Sequence, residues 1–284
     1  MQRSWYLLIL LLASSTWLRA QSEEFSFDAE EFEPKAFEFT GYLEAEPEYG
    51  RANQDGALYQ LQFLDRDPQK HLERFTGTLE LEGRARKGIV GVHFQTHSEL
   101  VRDYLGDDDD HALYQGYVTL QPDPGFAVDL GKKAVRWGKG YAWNPVAFVE
   151  RAKDAGDPDL SREGYWIAAA DWIKSFDGPL QAVALTPLIL PVQNDINEDF
   201  GEPSHNNLAA KLYLLYRDID IDFMFLSDGS RSARVGMDFS KNLAPNFEIH
   251  GEFAYFQDAI HLTLTDGCKR GTPRVQDEVS YLFG

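Results

Sequence analysis

The chain has 284 residues, with 46 Asp+Glu against 27 Lys+Arg and a formal net charge of −19. That balance excludes the basic footprint of a nucleic-acid binder and disfavours attraction to an anionic lipid surface. A single cysteine, Cys268, excludes an intramolecular disulfide and a cysteine-based zinc site.

Residues 1–20 read as a secretory signal peptide. Arg3 supplies the positive region, Trp5 to Leu12 an apolar core, and Ala13 to Ala20 a small-residue passage with a cleavage site before Gln21. The apolar run is shorter than the ~20 residues a membrane helix needs, and no later run approaches ~18. Any membrane crossing is therefore made by strands. Cleavage removes Arg3 and Arg19 and no acidic residue, leaving 27 − 2 = 25 Lys+Arg against 46 Asp+Glu, a net charge of −21. Residues 21–36, acidic with Phe25, Phe27 and Phe32 interspersed, read as a flexible lead-in.

From Phe37 the hydropathy period becomes two. Phe37, Phe39, Gly41, Leu43 and Ala45 share one face, and Glu38, Thr40, Tyr42, Glu44 and Glu46 the other, as in a strand with one apolar and one polar side. Residues 58–64 read as a further strand. Phe75, Leu79 and Leu81 then alternate with Thr76, Thr78, Glu80 and Glu82; past a turn at Arg86-Lys87-Gly88, Val90, Val92 and Phe94 oppose His93, Gln95 and His97. Asp107 to Asp110 reads as an exposed loop, since it lacks the alternate carboxylates and turn glycine of a calcium loop. More strands are expected over 114–121, 126–130, 166–174, 180–189, 208–216, 218–225, 233–240 and 247–255, joined by turns such as Asp177-Gly178-Pro179 and Ser227-Asp228-Gly229-Ser230. Residues 257–277 lose the alternation, and 278–283 begin a last strand within which the chain stops.

About eleven or twelve strands follow from this pattern. Segments of about ten residues with charged polar faces and aromatics at their ends favour an antiparallel transmembrane β-barrel over a sandwich, whose strands run to ~5–6 residues. The all-β barrel is expected to span 37–284 and to be incomplete at the C-terminus. The alternative is a complete twelve-stranded barrel with a short last strand.

Residues 126–166 break the alternation. Lys132, Lys133, Arg136 and Lys139 form a basic cluster in an acidic chain. A glycine- and aromatic-rich passage follows, through Trp137-Gly138, Gly140-Tyr141 and Trp143-Asn144-Pro145, then a charged loop with Arg151, Asp157 and Arg162-Glu163. A strand ending in Gly131-Lys132-Lys133, this Trp-Gly…Asn-Pro passage, the charged loop and a strand from Tyr165-Trp166 resemble porin-like outer-membrane β-barrels, distantly similar to alginate-export and DUF1302-type barrels. The resemblance covers residues 126–190 and implies that the passage folds toward the lumen and lines or constricts it.

On that reading Lys133, Arg136, Arg151 and Arg162 face an acidic inner wall (Glu80, Glu82, Asp218, Asp220) or an anionic solute, and select solutes by charge. Trp137, Trp143, Asn144 and Asp157 belong to the same constriction. The competing reading is that the cations only neutralise inward carboxylates, because half-buried charges need partners, while Trp137 and Trp143 serve packing or a girdle.

No GxSxG elbow, phosphate loop or dinucleotide fingerprint occurs. His93 and His97 lie ~13 Å apart on an extended strand, too far to share a metal. No metal, cofactor or enzymatic activity is expected. The expected function is passage of a small solute across the outer membrane. The alternative is a structural or accessory outer-membrane barrel partnering an envelope export or lipid-trafficking system; an outer-membrane hydrolase ranks third, with no nucleophile singled out. The expected surroundings are outer-membrane lipid, reached through the barrel-assembly machinery, with no nucleic-acid partner.

Overall fold

The computed structural model describes residues 36–140, 143–151, 163–265 and 270–284. The signal peptide (1–20), the lead-in up to Lys35, Asp157, Arg162 and Cys268 lie outside the described residues. The strands are β1 (Phe37–Arg51), β2 (His71–Lys87), β3 (Val90–Asp103), β4 (Gly106–Asp123), β5 (Phe126–Lys133), β6 (Tyr165–Ser175), β7 (Leu180–Val192), β8 (His205–Tyr216), β9 (Ile219–Leu226), β10 (Arg234–Ala244), β11 (Phe247–Thr265) and β12 (Arg270–Phe283). They form one 12-stranded antiparallel sheet in sequence order. The sheet is open: among the described residues β1 pairs only with β2, and β12 only with β11.

The connections differ between the two ends of the sheet. At one end they are tight: Gly88-Ile89, Pro124-Gly125, residues 176–179, Arg217-Asp218 and Pro245-Asn246. Arg217 and Asp218 both hold positive φ, 49° and 58°, the I′ geometry whose twist matches the flanking strands. At the other end lie the two-residue turn Tyr104-Leu105 and the longer segments 52–70, 193–204 and 227–233, with the described residues 134–140 and 143–151 of the β5–β6 connection. β1 begins and β12 ends on the tight-turn side.

Register turns the period of two into faces. One cross-strand row runs Phe126, Trp172, Leu185, Leu212, Phe223, Met237, Phe253, Tyr281, apolar throughout. The neighbouring row on the opposite face runs Tyr213, Asp222, Asp238, Glu252. Burial is inverted relative to a soluble sheet. Leu79 is 40% exposed and Phe223 43%, whereas Glu80 is 6%, Asp222 2% and Asp238 0% exposed. The polar face is the inner one, because residues 134–140 and 143–151 lie on it and touch both β6–β7 and β9–β11.

Three expectations need correction. Residues 58–64 are not a strand: Ala57–Gln62 is a short helix, α1, with Tyr59 stacked on Phe63 at 4.2 Å and Phe63 on Tyr104 at 5.5 Å. Aromatic spacing of one helical turn overrides the weak alternation. Asp107 to Asp110 is not a loop but part of β4, paired with residues 99–102 of β3. Residues 257–265 and 270–277 do not leave the sheet. A bulge at Gln257-Asp258, with Asp258 at φ 51°, resets the register, after which Ala259 pairs with Gln276 and the ladder continues.

Gly131 of β5 (φ 133°) sits opposite Tyr117, and a Cβ there would lie 2.7 Å from the Tyr117 Cα. Gly131→Ala is expected to destabilise the protein by about 2 kcal/mol or more through backbone strain and loss of the β4–β5 approach; urea unfolding followed by circular dichroism measures it.

Candidate functional site

The site is built where segment 134–151 crosses the inner face. Its apolar half holds it in place. Trp137, Val146, Phe148 and Val149 join Tyr165 and Ile167 of β6, Leu188, Leu190 and Val192 of β7, and Met224 and Leu226 of β9 in one buried cluster. The wall opposite is cut back to receive it: Met224, Gly236, Ala254 and Ser280 form one inward row. A Cβ on Gly236 would come within 2.8 Å of Val146 and 2.9 Å of Phe148.

Its polar half answers a problem set by the sheet. Asp222, Asp238 and Glu252 are direct cross-strand neighbours on β9, β10 and β11, all 2% exposed or less. Adjacent like charges are destabilising, and burial raises the cost. Lys139 brings its Nζ to 3.2 Å from Asp222 and 3.9 Å from Asp238, and Lys211 of β8 lies 3.9 Å from Asp222. Burial disfavours the Lys139 ammonium, but Asp222 and Asp238 outweigh that and hold its pKa above the ordinary lysine value.

Glu252 accepts hydrogen bonds from the backbone N–H groups of Lys139 (2.5 Å), Gly140 (2.6 Å) and Val146 (3.5 Å). Gly138 makes this possible. It sits at φ 94°, and a Cβ would lie 2.8 Å from Glu252 Oε1. The segment is thus pinned to the wall opposite its origin by one carboxylate.

A second polar array lines β2–β4. Glu80 accepts from Gln95 (2.9 Å) and Tyr42 (3.2 Å), and Gln115 donates to Gln95 (2.8 Å). His97 stacks on Tyr114 at 4.7 Å, and His93 packs on Tyr117 at 4.9 Å. Tyr114 is the extra residue of a bulge in β4, which turns it inward beside Gln115.

The sequence-derived candidates divide. Lys133 faces inward, paired with Asp129 and 5.2 Å from the Tyr117 ring centre. Arg151 pairs with Glu163 (3.3 Å) and Asp199 and lies 4.7 Å over Tyr165. Trp137 is buried within the segment, and Asn144 donates to the Trp137 carbonyl at 3.4 Å. Glu80, Glu82 and Asp220 face inward; Glu82 meets Arg84 at 2.6 Å, and Asp220 accepts from Tyr213 at 2.5 Å.

Arg136 and Trp143 are exposed, away from the paired charges. Asp218 is not on the inner wall: it occupies the Arg217-Asp218 turn and bonds with Gln181 at 3.0 and 3.1 Å, because the turn interrupts the alternation one residue before β9. Lys133 and Arg151 do pair with carboxylates, as does Lys139 of the basic cluster, but the partners are Asp129, Glu163, Asp199, Asp222 and Asp238 rather than Glu80, Glu82, Asp218 and Asp220. Asp238 and Glu252 were legible as polar positions of alternating strands, yet only register places them side by side.

Glu252→Ala leaves the N–H groups of Lys139, Gly140 and Val146 without their acceptor. The expected cost is about 1–3 kcal/mol per buried group left unpaired. Limited trypsin digestion checks it: cleavage after Lys139 should accelerate in Glu252→Ala and stay slow in the parent chain. A scan of the chain against protein-family models finds no match, and a comparison with curated proteins likewise finds none.

Proposed function

We propose that this sheet is the wall of an outer-membrane β-barrel and that a small solute crosses the membrane along its inner face, past the constriction formed by segment 134–151. The inverted burial carries this reading. An apolar row on every strand from β5 to β12, turned outward and, apart from the half-buried Leu212, exposed, is a surface that water does not tolerate at that size and that lipid solvates. Trp166 and Trp172, both exposed and six residues apart on β6, stand about 20 Å from each other along the strand, close to the edges of a ~25 Å apolar band with aromatic girdles. Tight turns at one end and long loops at the other match periplasmic and outer sides. Residues 1–20 supply the export signal, and the barrel-assembly machinery the insertion.

A second reading has its own observation. β1 is exposed along its full length, and each unpaired backbone group in hydrocarbon costs several kcal/mol. An accessory barrel completed by strands of an envelope partner removes that cost.

Planar-bilayer recording of the refolded chain distinguishes the two. Discrete conductance steps, larger in Glu252→Ala, support solute passage; a silent protein that co-purifies with a stoichiometric envelope partner supports the accessory role. Phe223→Arg, at the middle of the outward face, is expected to cost about 2–4 kcal/mol in folding into liposomes, whereas a protein folded in water without lipid would tolerate it with little change.

A further inference from the structure

Arg231 lies in the 227–233 connection and Arg234 opens β10 on its inward side. Each guanidinium is laid on a ring. Arg231 Cζ is 4.0 Å from the Phe200 ring centre and Arg234 Cζ 5.0 Å from that of Phe256. Each Nε is already committed, Arg231 donating to the Phe200 carbonyl and Arg234 to the Ser232 carbonyl at 3.2 Å. The stems and planes are fixed, and the outer Nη edges are left for a partner.

Among the described residues no carboxylate is close enough to supply one. Among the described residues, neither arginine forms an ion pair within the 4.0 Å that defines one. Arg151 shows the contrast: stacked in the same way on Tyr165, it is paired with both Glu163 and Asp199. Two half-buried guanidinium groups without a close ion-pair partner, Glu278 acting on Arg234 only from farther along the row Arg234–Phe256–Glu278, carry a desolvation cost that a bound anion would offset. Both arginines line a cavity of about 570 Å³ at the long-loop end of the sheet. Glu202, Asp228 and Asp258 line it too, but they are exposed. Water screens them, while still making the cavity unfavourable for a large polyanion.

We propose that Arg231 and Arg234 form a two-arginine recognition site for the carboxylate of a small organic anion at the long-loop mouth of the sheet. Planar guanidinium edges match a carboxylate bidentately, and ring stacking keeps them oriented before the ligand arrives. The site deepens the solute-passage reading, giving the solute a class, but binding is measured without transport, so either can fail alone.

The test is isothermal titration calorimetry of the full chain in detergent micelles at low salt, with sodium succinate as probe and sodium chloride and inorganic phosphate as comparisons. Succinate is expected to saturate, with affinity falling roughly tenfold or more in the Arg231→Gln/Arg234→Gln double variant, which removes two charge-assisted contacts. Absence of saturable succinate binding, an unchanged affinity in the double variant, or binding of phosphate alone overturns the proposal. Should the double variant lose its β-sheet circular dichroism spectrum, Arg234→Lys carries the test. It keeps the charge and loses the fork, so weaker succinate binding is expected, and unchanged affinity overturns the proposal.

Discussion

The unbroken backbone ladder from β1 to β12 is the constraint on which the other features depend. Because every interior strand has both edges paired, side chains are free to segregate completely: apolar on one face, ionised or hydrogen-bonding on the other. The segregation is only as good as the register, since a slip of one residue exchanges the faces of a whole strand. Tight turns at Gly88-Ile89 and Arg217-Asp218 set it locally. The bulges at Tyr114 and at Gln257-Asp258 restore it where the polar and apolar residues fall out of step.

A polar inner face has its own cost, and segment 134–151 meets it. The segment is held by an apolar cluster at one place and by charge at another, and the two halves depend on each other. Without Trp137, Val146 and Phe148 packed against β6, β7 and β9, no force would carry Lys139 across to Asp222. Without Lys139 and the N–H groups capping Glu252, three adjacent buried carboxylates would strain the β9–β11 pairing. Removing one partner of a buried pair is more damaging than never having had it, because the remaining charge stays desolvated.

How far the sequence discloses this follows from the same physics. Alternation was legible wherever the two faces of a strand meet different surroundings, as in β2, β3, β9 and the first half of β11. It faded where both faces meet water: Asp107 to Asp110 in β4 and the outer half of the β11–β12 hairpin are strands by backbone pairing alone. The Gly138 and Glu252 partnership was not legible, since its members are more than a hundred residues apart and meet only through six intervening strand pairings. Arg231 and Arg234 are isolated in the sequence whereas the basic run after Gly131 is dense, yet density is a poor guide. Lys133 and Lys139 of that run are already neutralised by partners that register brings to them.

The charges of the inner face therefore fall into two kinds. At the constriction, Lys139 and Lys211 answer Asp222 and Asp238, and Glu252 is answered by backbone N–H groups, so little net field is left there to hold a passing ion. At the long-loop end, Arg231 and Arg234 are stacked and oriented, and among the described residues neither has a close ion-pair partner. On the proposed reading, holding the segment and recognising a solute are separated along the sheet. A mutation that frees the segment should change the size of the passage and leave anion recognition intact, while loss of the arginine pair should change which solutes gather at the mouth without altering how wide the passage is. On that reading, one face holds its segment with its own charges and keeps a separate pair of arginines for charge from outside.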